Sequence, residues 1–90
     1  MFEWDDAKAK SNLAKHSVTF ENAATAFADK MSLTIADPLH SHGESRLILL
    51  GSSASGEILV VVHTERGENV RIISARRASR RERQTYEEAR

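Results

Sequence analysis

Apolar positions along this chain change their period twice, and the changes predict two helices, then a run of strands, then a last helix. Phe2 and Trp4 alternate around Glu3, the signature of a short strand. Asp5 or Asp6 can then cap a helix from Ala7 to about His16, with acids in its first turn and Lys15 and His16 in its last. Thr19 caps a second helix, in which Phe20, Ala23, Ala24 and Phe27 fall at i, i+3, i+4 and i+7 and form one core-facing stripe. Val18, just before that cap, is placed to pack on Ala23 as a hydrophobic staple. The two helices therefore form a tight pair hinged at His16-Ser17-Val18.

After Asp29 the period becomes two. Ser32-Leu33-Thr34-Ile35 alternates until Asp37-Pro38 stops it, and residues 39–44 read as a polar loop. Three strands follow, Arg46–Ser52, Glu57–Glu65 and Asn69–Arg77, joined by Ser-Ala-Ser-Gly and by Arg66-Gly67-Glu68. Connections this short require antiparallel hairpins, because a parallel crossover needs a dozen residues or more. The unbroken run Ile58-Leu59-Val60-Val61-Val62 marks a central strand covered on both faces. Ser79-Arg80-Arg81-Glu82 opens the last helix as a capping box. Arg80 and Arg81 there oppose the helix dipole, and the helix offers little to bury beyond Tyr86 and Ala89. The whole chain, residues 1–90, reads as a single α+β domain.

Composition narrows the class. A chain that is 40% apolar and 29% charged is ordinary for a soluble protein, and its lack of cysteine removes disulfides and thiolate metal sites. No apolar run approaches the length of a membrane span and no signal peptide opens the chain, so a cytoplasmic protein is expected. The formal net charge of zero hides a dipole. Residues 1–65 carry five cations against nine acids, net −4; residues 66–90 carry eight arginines against four acids, net +4. Every cation after position 46 is Arg, which suits bidentate recognition of phosphate or carboxylate.

Strict strand alternation puts Val70, Ile72, Ser74 and Arg76 on one face of the last strand and Arg71, Ile73, Ala75 and Arg77 on the other. Arg76 and Arg77 both end beside the N-terminus of the last helix, whose N–H groups with several guanidinium groups would make an anion site suited to a polyphosphate chain. His63 is either a strand histidine at the core's margin or a general acid or base. Glu65 either pairs with an arginine across the hairpin or moves a proton, and Tyr86 either anchors the last helix or reaches a phosphate. His16 suits a helix C-terminus and His40 and His42 a solvent-facing loop; no metal-ligand spacing and no cofactor motif is present.

F-E-W-D at 2–5, K-H-x-V-x-F at 15–20, V-V-V-H-T-E-R at 60–66, R-I-I-S-A-R-R-A at 71–78 and R-R-E-R-x-x-Y-E at 80–87 together resemble the BrnT family, over nearly the whole chain. That resemblance implies a toxin of the type II toxin–antitoxin system BrnT/BrnA with a RelE-like fold: two N-terminal helices packed on a twisted antiparallel sheet of four or five strands, then a C-terminal helix. It implies a metal-independent endoribonuclease that uses the RNA 2′-OH, inhibits translation, and is neutralised by a BrnA-type antitoxin whose ribbon-helix-helix domain binds operator DNA. The residues expected to carry catalysis are Arg76, Arg77, His63, Glu65 and Tyr86, with Arg66, Arg71, Arg80, Arg81 and Lys15 binding RNA. Two other readings fit the same arginines, a non-catalytic nucleic-acid binder and a module that docks an acidic antitoxin. The chain departs from the family at Ser17, where Gly is common, and Ser is expected to shift or loosen that turn.

Overall fold

The computed structural model describes residues 1–37 and 45–89; Pro38, the loop at 39–44, His40 and His42 lie outside them. Its order is β1 (Phe2–Glu3), α1 (Asp6–His16), α2 (Phe20–Thr25), a 3-10 turn (Ala26–Ala28), β2 (Leu33–Ala36), β3 (Arg46–Ser52), β4 (Ile58–Arg66), β5 (Asn69–Arg77) and α3 (Arg80–Glu88). The five strands form one sheet ordered β1-β5-β4-β3-β2. The three hairpin pairings are antiparallel as their connections demand. At the edge, β1 joins β5 in parallel, because both helices and three strands intervene and a crossover of that length is possible. The sheet is therefore mixed where an antiparallel one was expected.

Each helix starts where the sequence places it. Asp5 accepts from the Lys8 amide to cap α1, and Thr19 accepts from the Asn22 amide to cap α2. Between them Ser17 adopts the left-handed conformation, φ 57° and ψ 31°, and its N–H donates to the Leu13 carbonyl. The expected loosening does not occur: the turn keeps its left-handed geometry, and Ser carries the steric cost that Gly would avoid. Val18, Phe20, Ala23 and Ala26 pack with Leu49, Leu59, Val61, Ile72 and Ala75 to form the core between the helices and one sheet face. Fully burying side chains such as Phe20 and Leu59 contributes roughly 1.5–3 kcal/mol each. Gly51 lies under the 3-10 turn, where a Cβ would come 3.1 Å from the Ala26 carbonyl oxygen.

A buried amide fastens α1 to the sheet. Asn12, 7% exposed, donates from Nδ2 to the carbonyls of Ala75 (2.8 Å) and Val18 (3.0 Å), and its Oδ1 accepts the Ala75 N–H at 3.0 Å. It serves the outer edge of β5 beyond Val70 and Arg71, the positions paired with β1. Asn12→Ala strands three backbone groups away from water, so it should lower unfolding free energy by roughly 2–4 kcal/mol in a urea titration. Ser17→Gly should raise stability by roughly 0.5–1 kcal/mol in the same titration, by relieving the left-handed serine.

Candidate functional site

Cross-strand partners share a face, so the pairing assigns every strand residue to one side of the sheet. The side away from α1 and α2 shows three rows. The first is Leu33, Leu50, Val60 and Arg76; the second is Ile35, Ile48, Val62 and Ser74; the third is Arg46, Thr64 and Arg71. Strict alternation would put Arg71 and Arg76 on opposite faces. A β-bulge corrects that count: consecutive β4 residues Val62 and His63 pair with Ser74 and Ile72, leaving Ile73 as the extra residue. Arg71 and Arg76 thus reach the same open face, which Glu82 and Thr85 of α3 border through an apolar cavity of about 220 Å³.

Arg76 and Arg77 do not converge. Arg77 pairs with Leu59 and so belongs to the helix side, while Arg76 pairs with Val60 on the open side. The Arg77 Nε donates to Glu57, and its Nη1 donates to the His16 carbonyl at the C-terminal end of α1. That contact lowers the Glu57 carboxyl below its ordinary pKa. Arg77 is thereby a cap on α1, a place where a cation complements both unpaired carbonyls and helix dipole.

Arg76 makes a bidentate pair with Glu82, Nη1 to Oε1 at 2.8 Å and Nη2 to Oε2 at 2.9 Å. The same Oε1 accepts the Ser79 N–H at 2.8 Å while Ser79 Oγ accepts the Glu82 N–H, so the expected capping box forms and is joined to β5. The Arg76 guanidinium, helped by the Ser79 N–H, holds the Glu82 carboxyl at a pKa of about 2. Arg76 remains 44% exposed along its side chain.

The other expected catalytic groups are dispersed. His63 is 3% exposed on the helix side, edge-on to the Phe27 ring at 4.7 Å, with Nδ1 3.2 Å from the Val61 carbonyl. Burial lowers its pKa, which keeps the imidazole neutral in the core. His63 therefore lies on the opposite side of the sheet from Arg76 and away from solvent. Tyr86 is buried and donates to Asp29 Oδ2 at 2.6 Å, an oxygen that also accepts the Ser52 N–H. It is the anchor of α3. Glu65 is exposed at the β4–β5 hairpin, across from Val70, and lies five residues along β4 from the partner of Arg76.

Among the described residues, no carboxylate pairs with the guanidinium groups of Arg66, Arg71, Arg80 or Arg81, four of the five residues expected to bind RNA. Arg66 sits at the hairpin and Arg80 and Arg81 in the first turn of α3, all exposed. Lys15 lines a shallow polar depression with Lys8, His16, Ile73 and Ser74, beside the bulge. Asn12 and Asp29 are organising polar residues that sequence reasoning missed. Glu82 was expected only as the capping-box residue, and its bidentate pair with Arg76 was not foreseen. No helix among the described residues is long and apolar enough to cross a membrane.

The family described as the ribonuclease toxin BrnT of type II toxin–antitoxin systems matches residues 4–82. The crystal structure of the Brucella abortus ribonuclease toxin BrnT is similar, with a TM-score of 0.64 and 26% identity, over 89% of this chain and 99% of that one. The comparison with curated proteins gives no match.

The low Glu82 pKa implies a pH dependence. The carboxyl is ionised in the folded protein down to about pH 2 and protonates near 4.5 once unfolded, so its contribution is complete above about pH 4.5 and is lost as pH falls towards 2. Glu82→Gln should melt lower than the parent at pH 7, with the gap narrowing through that window in thermal scans.

Proposed function

This chain belongs to the BrnT family of ribonuclease toxins of type II toxin–antitoxin systems, and from that premise we propose that it binds and cleaves RNA on the open face of its sheet. The observation that carries this reading is the Ile73 bulge, which turns Arg71 onto the face that already holds Arg76.

Arg76 is the group best placed for the scissile phosphate. It offers five N–H donors, of which Glu82 takes two and the Arg77 carbonyl accepts a third at 3.4 Å, and the bidentate carboxylate fixes the plane of the other two. Beside it the first turn of α3 adds the Arg80 and Arg81 side chains, and their backbone N–H groups, which the capping box does not use. Such fixed donors stabilise charge that grows on the phosphoryl oxygens, usually the largest part of catalysis. The nucleophile is the RNA's own 2′-OH: it gives up its proton as its oxygen attacks the adjacent phosphorus, the bond to the 5′ oxygen of the next nucleotide breaks, that oxygen takes up a proton to leave as a hydroxyl, and a 2′,3′-cyclic phosphate remains. Arg66 and Arg71 line the path of the flanking backbone, which Lys15 meets where the strand passes the bulged edge of β5. His63 and Tyr86 act on the fold that holds these groups, and Arg77 acts through α1.

Free toxin of this kind would cut cellular RNA and stop translation. A BrnA-type antitoxin would neutralise it by laying carboxylates over the same open face, and would bring operator DNA to the complex through its own ribbon-helix-helix domain. Binding without cleavage is the second reading, favoured by the carboxylate that already occupies two Arg76 donors.

The test is end-labelled RNA incubated with pure protein and resolved on a gel. Arg76→Ala should slow cleavage about 100-fold, whereas Arg77→Ala should cut RNA at nearly the parent rate. Replacing the ribose at the cut site by 2′-deoxyribose should abolish cleavage there. RNA that is retarded but never shortened would establish the binder and overturn the nuclease.

A further inference from the structure

The third row of the open face holds a feature that the proposed nuclease site does not use. Thr64 is 1% exposed, and its Oγ1 is a buried side-chain polar atom with no hydrogen-bond partner. A buried hydroxyl without a partner is a cost that native folds seldom retain without a reason. Its two cross-strand neighbours are both arginines: Arg46 on β3 and Arg71 on β5 pair with Thr64 from either side. Strands lie about 4.8 Å apart, so the two arginine backbones are roughly 10 Å from each other with the threonine between them. The Arg71 guanidinium has no hydrogen bond or ion pair with a described residue, whereas Arg46 already has a partner and would share its donors with the ligand.

We propose that Arg46, Thr64 and Arg71 form a second phosphate subsite, which holds one backbone phosphodiester of the RNA strand away from the cut. The chemistry fits a monoanionic phosphate oxygen pair: two planar cations in a fork on either side, and one neutral O–H donor at the floor. The inference rests on the reading of the open face as the RNA surface. Thr64 lies four residues along β4 from Val60, the partner of Arg76, which is about 13 Å of strand. That distance separates the subsite from the phosphate at Arg76, so it engages a different link of the same chain. The subsite anchors the strand; Arg76 meets the reacting phosphorus. Thr64 and Arg71 are therefore positioning residues, whose loss raises KM and leaves kcat nearly unchanged.

The probe is a fluorescein-labelled oligoribonucleotide with 2′-O-methyl groups, which binds but lacks the nucleophile, followed by fluorescence polarisation across a salt series. Thr64→Val, equal in shape and without the hydroxyl, should bind about tenfold more weakly with an unchanged salt slope. It should melt at or above the parent temperature, since the unpartnered hydroxyl is gone. Arg71→Gln should reduce the slope of log K against log salt by about 0.7, the value of one phosphate contact on a single strand. Gel cleavage of unmodified RNA should then show a raised KM for both variants. Parent-like affinity and KM in Thr64→Val and Arg71→Gln, with the parent cutting RNA normally, would overturn the subsite and leave the nuclease standing. Thr64→Val that weakens inorganic phosphate binding but not oligonucleotide binding would also overturn it. A parent protein that neither binds nor cuts RNA would overturn the nuclease reading first.

Discussion

A β-strand has two faces, and a single extra residue decides which face every later side chain serves. In β5 that residue is Ile73. Without it, Ile72 and Ala75 could not both enter the core, and Arg71 and Arg76 could not both face away from it. The bulge is held from outside by the Asn12 side chain, which occupies both backbone groups of Ala75 two residues further on. Helix α1, the register of β5 and the arrangement of the arginines thus depend on one another.

The arginines divide according to what lies nearest. Arg77 is drawn to Glu57 and to the end of α1, and Arg76 to the carboxylate that starts α3. Both are building elements, and Arg76 also keeps donors and exposure to spare. Arg66, Arg71, Arg80 and Arg81 have no such duty among the described residues. Their desolvation would need an anion from outside, which is why a phosphate-rich ligand suits this surface better than the folded chain alone does.

Most of the architecture was legible in the chain because it rests on local rules. Caps at Asp5, Thr19 and Ser79 and the short hairpin connections each act within a few residues, and each appears where expected. The Phe20–Phe27 stripe appears in part, because α2 ends at Thr25 and the 3-10 turn buries Ala26 while Ala24 and Phe27 stay partly exposed. Long-range facts were not legible. The parallel pairing of β1 with β5, the Asn12 clamp across 63 residues and the Tyr86 bond to Asp29 across 57 leave no periodic trace. The site failed at one step for the same reason: alternation cannot reveal a bulge, so Arg71 was counted to the wrong face. The surroundings of His63 were not legible because its neighbour Phe27 is distant in sequence, and only the fold brings the two rings edge-on.

Helix α3 buries one side chain, Tyr86, and is otherwise fastened by polar contacts, Glu82 to Arg76 at its start and Tyr86 to Asp29 near its end. Oily contacts tighten with ionic strength, whereas exposed charge pairs slacken as mobile ions screen them. The closing segment of this fold and the sandwich of helices and sheet beneath it therefore respond to electrolyte in opposite directions. A polyanion is the most concentrated electrolyte the open face would meet, so the guest itself could loosen the latch beside which it lies.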